Sequence, residues 1–146
     1  MTKIDLTAAA IIIQENKVLL ILHKKLKKWL GPGGHIEPNE VPDDAVIREA
    51  YEETGLQVKI VHQPQIPLYG AAKRELAIPF YVNVHSVGDH DHCGFYYLCQ
   101  VVGGTLNPNL LETEGAQWFT IEQVKDHPDI LPDTKEILKL AFKRYR

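Results

Sequence analysis

Between Gly34 and Leu56 the chain reads GHIEPNEVPDDAVIREAYEETGL, and the second half of that stretch carries Glu49, Glu52 and Glu53 inside one predicted helix. At 3.6 residues per turn, separations of three and four place these carboxylates on one face, within an arc of about 100°. Val46, Ile47, Ala50 and Tyr51 fall on roughly the opposite side, which predicts a packing face and an acidic face. Like charges at these separations repel by roughly a few tenths of a kcal/mol per pair. A divalent cation on the acidic face removes that cost, so the helix is a candidate metal site.

The same stretch sets its own boundaries. Pro42 suits the first helical position, Asp43 and Asp44 complement the macrodipole in the first turn, and Gly55 supplies a stop after Thr54. Directly upstream, Trp29-Leu30-Gly31-Pro32-Gly33-Gly34 holds too much glycine and proline for regular structure. Such a loop is either a tight turn or a segment that offers backbone groups to a metal or phosphate. No Gly-Lys-Ser/Thr follows, so it is not a Walker loop.

Elsewhere the pattern alternates strands and helices. Thr7–Ile13 and Lys17–His23 form a predicted hairpin across Gln14-Glu15-Asn16, because β-branched Ile11-Ile12-Ile13 disfavours a helix. Lys24 to Lys28 is a basic loop, either a solvated turn or an attractor of phosphates. Val58–Val61, Ile78–Val87, Phe95–Val102 and Ala116–Phe119 read as further strands, while Tyr69 to Glu75 has no clear pattern. Thr120 caps a short helix with Glu122-Gln123 behind it, and Asp133–Tyr145 is an amphipathic helix burying Ile137, Leu138, Leu140, Ala141 and Phe142. The reading is one α/β domain over residues 1–146.

Composition narrows the partners. A formal net charge of −3 leaves no electrostatic footprint for nucleic acid or an anionic membrane, so a polyanionic substrate needs a local positive feature such as a metal. Cys93 and Cys99 are too few for a disulfide framework and have no paired spacing for zinc. The apolar run near the N-terminus is too short to span a bilayer and lacks a small-residue cleavage site, which makes cytoplasm the expected compartment.

Gly34, Glu40, Arg48, Glu49, Glu52, Glu53 and Gly55, with apolar Ala50 and Leu56, fall on the pattern G-x5-E-x7-R-E-U-x-E-E-x-G-U. These residues resemble the Nudix box, the signature of the MutT-like Nudix hydrolases. Seven fixed letters would match by chance with a probability of about 10⁻⁹ per starting position. The surrounding strand order and Trp118-Phe119 before a late helix extend the likeness over most of the chain. The resemblance implies an α/β/α sandwich around a mixed β-sheet, with the box at 34–56 forming a loop-helix-loop. It implies hydrolysis, with Mg²⁺ or Mn²⁺, of a nucleoside diphosphate linked to another moiety. It points to Glu49, Glu52 and Glu53 as metal ligands, joined by the carbonyl of Gly33, and to Arg48 and Glu40 as the pair that orients them. Two positions depart from the usual pattern: Gly31 stands where a larger apolar residue is common, and Asn39 where glycine is. Asn is among the residues that best tolerate a left-handed backbone.

Carboxylates are hard ligands suited to Mg²⁺, and clustered ions can polarise phosphorus and generate hydroxide, so no covalent nucleophile is required. The base is either a helix glutamate or a carboxylate from a later loop, for which Glu112 and Glu114 are candidates, with exposed loop acids as the alternative. Arg74 and Lys73 are candidate phosphate contacts or plain surface. His85, His90, His92 and Cys93 match no standard zinc spacing and read as loop residues, with a substrate contact through His92 as the alternative. Tyr69, Tyr96 and Tyr97 either stack on a base or pack in the core.

The expected substrate is a nucleoside triphosphate or an oxidised nucleotide. ADP-ribose, nucleoside-diphosphate sugars and dinucleotide polyphosphates are the alternatives. In the family a downstream proline or tyrosine marks ADP-ribose or dinucleotide polyphosphates, and here Ala71, Ala72, Lys73 and Arg74 fill those regions. A non-catalytic nucleotide sensor is the rival of another class; retention of every box glutamate argues against it. Many relatives form dimers, so a homodimer stays open beside a monomer.

Overall fold

The computed structural model describes residues 1–145. The hairpin forms as expected: β1 (Ile4–Gln14) pairs antiparallel with β2 (Lys17–His23), with Ile12 opposite Leu19 and Gln14 opposite Lys17. Glu15 and Asn16 form its two-residue turn with φ of 52° and 60°, the left-handed pair that matches the twist of the flanking strands.

The glycine-rich loop departs from expectation. Trp29–Leu30 forms β3 against β2, and Gly33–His35 forms β4 against β1, so only Gly31 and Pro32 lie between strands. Gly31 is tight against β1. A Cβ there would stand 2.9 Å from both the Ala10 carbonyl oxygen and Ile11 Cδ1, which explains the absence of a larger side chain. Asn39 adopts φ 64°, the left-handed backbone expected for a residue standing in for glycine.

Next come α1 (Pro42–Thr54), β5 (Leu56–Ile60), β6 (Tyr81–Ser86) and β7 (Asp91–Gly104). The chain closes with β8 (Thr113–Thr120), α2 (Ile121–Asp126) and α3 (Pro132–Tyr145). The main sheet path is β3-β2-β1-β7-β5, with β4 on β1, β6 on β7 and β8 on β2; β1 and β7 run parallel and the other pairs antiparallel. The predicted connection from His85 to Cys93 shortens to a turn, because His85 and Asp91–Cys93 are themselves paired strand residues.

Alternation along β1 divides the core in two. Ala8, Ala10 and Ile12 face α1, joined by Ala45, Val46, Ala50, Val58 and Tyr97. Ile11 and Ile13 face α3, with Leu20, Phe119, Leu138, Ala141 and Phe142. Helices therefore cover both faces of a mixed sheet, an α/β/α sandwich. Ile47 and Tyr51, expected on the packing face of α1, are exposed; Ala45 and Thr54 take their places. Leu140 of α3 is only half-buried. Of the three tyrosines, Tyr97 and Tyr96 pack in or against the two core clusters and Tyr69 is exposed. Among the described residues no helix is long and apolar enough to cross a membrane.

Candidate active site

Helix α1 begins at Pro42 and stops where Gly55 turns left-handed at φ 78°, its N–H donating to the Tyr51 carbonyl. The loop after β7 finishes the helix: Asn107 N–H donates to the Thr54 carbonyl at 2.7 Å, and Asn109 N–H to that of Glu53 at 3.0 Å. Capping these orphan carbonyls fixes the loop that carries Glu112 beside the acidic face.

On that face Arg48 is the organiser. Its Nε and Nη2 donate to the two Glu40 oxygens at 2.8 and 2.9 Å, a bidentate pair. Nη1 reaches Glu49 at 2.9 Å and Glu52 at 3.3 Å, and Nη2 also donates to the His35 carbonyl at 3.1 Å. This fork ties the loop before α1, the helix and β4 together, and it holds the Glu40 carboxyl below its ordinary range by hydrogen bonding.

Glu53 is handled differently. It is only 7% exposed, and Gly33 N–H donates to its Oε1 at 2.7 Å. Burial first, then the charges of Glu49, Glu112 and Glu52, push its carboxyl up to about 8, while the Gly33 hydrogen bond opposes the shift. Glu49 is raised as well, chiefly by burial, with Arg48 opposing. Gly34 permits its position: a Cβ on Gly34 would stand 2.5 Å from Glu49 Oε1. Among the described residues, neither Glu53 nor Glu112 has a cation within 4.0 Å.

The donor set fits a hard divalent cation. Glu49, Glu52 and Glu53 share one helix face, Gly33 lies against Glu53, and Glu112 acts on Glu49 and Glu53 from across. Because Arg48 stands between Glu49 and Glu52, the helix carboxylates are less tightly gathered than Asp5, His90 and His92, whose donor atoms all lie within 4.8 Å of one another. A loosely gathered carboxylate set suits Mg²⁺, which retains several waters.

The remaining candidates lie elsewhere. Glu114 pairs with Lys27, which ties the basic loop to the start of β8; Lys24 donates to the Leu110 carbonyl, and Lys28 pairs with Asp129. Arg74 forms two hydrogen bonds to Asp44, an exposed residue in the first turn of α1, at 3.1 and 2.7 Å. His92 lies in β7 opposite Asp5 of β1, on the face of the sheet away from α1. Its imidazole is held below the ordinary value by burial and by His35, His85 and His90. Sequence reasoning missed Asp5 and His35 altogether; neither stands near the other histidines along the chain, and only strand pairing brings them together.

The NUDIX domain family model matches residues 3–141. The chain belongs to the Nudix family. A crystal structure of a NUDIX-family hydrolase from Clostridium perfringens superposes with a TM-score of 0.87 at 32% identity, covering 97% of this chain and 98% of that one. The NAD-capped RNA hydrolase of Vibrio parahaemolyticus is 31% identical over 82% of this chain and 38% of its own length. A probable DHNTP pyrophosphohydrolase of Lactococcus lactis is 43% identical over 38% of this chain and 34% of its own. The chain thus spans little more than a third of the length of these curated relatives.

Proposed function

We propose that this Nudix chain is a pyrophosphohydrolase that cleaves a phosphoric anhydride bond in a nucleotide by attack of water on phosphorus. The observation that carries this reading is the cluster of Glu49, Glu52 and Glu112 around the buried Glu53 carboxyl, which is pushed up to about 8 and has no cationic partner of its own. Such a site favours an added cation, and Glu49, Glu52, Glu53 and Gly33 are the groups to hold Mg²⁺ or Mn²⁺. When bound, the ion neutralises phosphate oxygens and makes water more acidic. Arg48 and Glu40 position the carboxylates and do not touch substrate. Glu112 accepts the proton of the attacking water; Glu114, engaged by Lys27, does not. The anhydride P–O bond breaks as the new P–O bond forms, and the released phosphate oxygen departs as the leaving group.

The substrate class is a nucleoside diphosphate carrying a further group, with nucleoside triphosphates or their oxidised forms first. The test is phosphate or pyrophosphate release from a panel including these, ADP-ribose, nucleoside-diphosphate sugars, dinucleotide polyphosphates, DHNTP and NAD-capped RNA, each with Mg²⁺ or Mn²⁺. Metal-dependent turnover of one class supports the reading and names the substrate. Metal-dependent binding without turnover of any compound replaces it with a nucleotide sensor.

A further inference from the structure

The face of the sheet opposite α1 carries a second gathering of metal-binding side chains. Asp5 of β1, His92 of β7 and His85 of β6 stand directly opposite one another across three neighbouring strands. His35 of β4 pairs with Thr7, two residues along β1 from Asp5 and on the same face. His90 enters from the turn between β6 and β7. Farther along this face α3 covers Ile11 and Ile13, but Asp5, His90 and His92 are only half-buried.

We propose that Asp5, His90 and His92 bind a transition-metal ion of the Zn²⁺ class, in a site separate from the box carboxylates, with His35 completing the set. The donor atoms of the first three lie within 4.8 Å of one another. Asp5 Oδ2 stands 3.3 Å from His90 Nε2 and 3.4 Å from His35 Nε2. Two donors bound about 2.05 Å from a tetrahedral ion are about 3.3 Å apart, so these separations match the edge of a coordination tetrahedron. They are long for charge-assisted hydrogen bonds, which close to about 2.7–2.9 Å.

The supporting groups agree. His90 Nδ1 lies 2.7 Å from Asp89 Oδ1, leaving Nε2 toward Asp5; this is the carboxylate–histidine arrangement that orients a ligating imidazole and raises its basicity. His85 Nδ1 lies 3.0 Å from Asn83 Oδ1 beside His92. Asp5 Oδ1 faces Lys3 at 3.6 Å, which leaves Oδ2 to the imidazoles. Imidazole donors select Zn²⁺, Ni²⁺ or Cu²⁺ over Mg²⁺. Cys93 takes no part: it alternates to the α1 face opposite Leu6 and Val84.

The test is a calorimetric titration of the full chain with Zn²⁺ in a large excess of Mg²⁺. The expected result is one equivalent of Zn²⁺ bound, weakened about 100-fold or more in His90→Ala and in His92→Ala, and unchanged in Glu53→Gln. Asp5→Asn, of nearly the same shape, is expected to weaken binding at least about 10-fold with the circular dichroism spectrum intact, which separates ligand loss from misfolding. No Zn²⁺ binding under excess Mg²⁺ overturns the proposal. So does affinity untouched by the histidine and Asp5 variants, or lost in Glu53→Gln.

Discussion

On the α1 face of the sheet the gathered side chains are carboxylates, and Glu49, Glu52 and Glu53 come from one helix. On the other face they are four imidazoles and a carboxylate drawn from β1, β4, β6, β7 and a turn. The first set is built by helical periodicity, so its members are close in sequence and strain against one another by charge. The second is built by strand register, so its members are scattered in sequence and repel one another little while neutral. Strand β4 belongs to both: Gly34 turns toward Glu49, and His35 turns toward Asp5. Donor hardness divides the two proposed sites in the same way, oxygen suiting Mg²⁺ and imidazole suiting the Zn²⁺ class.

The substitution expected to separate the two faces most is Glu53→Gln. Gln keeps the volume and can still accept the Gly33 N–H, but it removes a carboxylate from the oxygen site. Mg²⁺-dependent hydrolysis is expected to fall roughly 10³-fold, the scale set by loss of a charge-stabilising group in phosphoryl transfer. At pH 9 without metal, where Glu53 is ionised, the variant is expected to melt higher than the parent, because a buried charge beside Glu49 and Glu112 has gone. A pyrophosphate-release assay and a thermal melt read the two arms. Unchanged turnover would remove Glu53 from the metal site.

Arg48→Lys probes how the acidic face is held together. Lysine keeps one positive charge but cannot bridge Glu40 bidentately while also reaching Glu49 and His35. The expected outcome is Mn²⁺ affinity weaker by about 10- to 100-fold, as for loss of a group that orients metal ligands. Paramagnetic relaxation of water protons in a Mn²⁺ titration measures it. Affinity within two-fold of the parent would mean that the helix alone places the carboxylates.

The contrast between the faces also explains what the sequence revealed. Spacings of three and four made Glu49, Glu52 and Glu53 legible as one face, and Gly55 and Pro42 marked the ends of α1. The facing partner of that helix was less clear. Ile47 and Tyr51 look like core residues by type, yet they point to solvent, because the packed stripe runs through Ala45, Val46 and Ala50. Trp29 to Gly34 read as pure loop, since glycine carries no strand propensity; two short strands form there because β1 and β2 supply unpaired edges. The Asp5–His90–His92 group was illegible in principle, for its proximity depends on the parallel pairing of β1 with β7, a tertiary fact.

Two neighbouring glycines sharpen the role of β4. In Gly33→Ala the new Cβ would meet the Ala8 carbonyl oxygen at 2.5 Å and Ala9 Cα at 2.8 Å, backbone atoms that cannot yield cheaply. A loss of about 1–3 kcal/mol in stability is expected, the usual scale of overpacking. In Gly34→Ala the Cβ meets the flexible end of Glu49, so the side chain moves and the fold stays. That variant should melt within about 1 kcal/mol of the parent in stability while binding Mn²⁺ more weakly. Denaturant unfolding and a Mn²⁺ titration on both variants distinguish a structural strand from one that shapes the site.

The measurement that most directly tests the charge argument is proton linkage at Glu53. Its carboxyl has an ordinary value of 4.5 and is pushed up to about 8 in the metal-free fold. Between those values the folded protein holds a proton that the unfolded chain has released. Stability of the metal-free protein therefore declines as pH rises through that window and levels off above it. Mg²⁺ or Mn²⁺ binding requires the carboxylate, so it should expel up to one proton from Glu53 near neutral pH and progressively less above pH 8. Calorimetry in two buffers of different ionisation enthalpy counts that proton, and Glu53→Gln should reduce the difference between buffers by the share that Glu53 contributes. A parent protein that binds metal at pH 6.5 without releasing protons would show that Glu53 is already ionised, and that burial on the α1 face is milder than its 7% exposure implies.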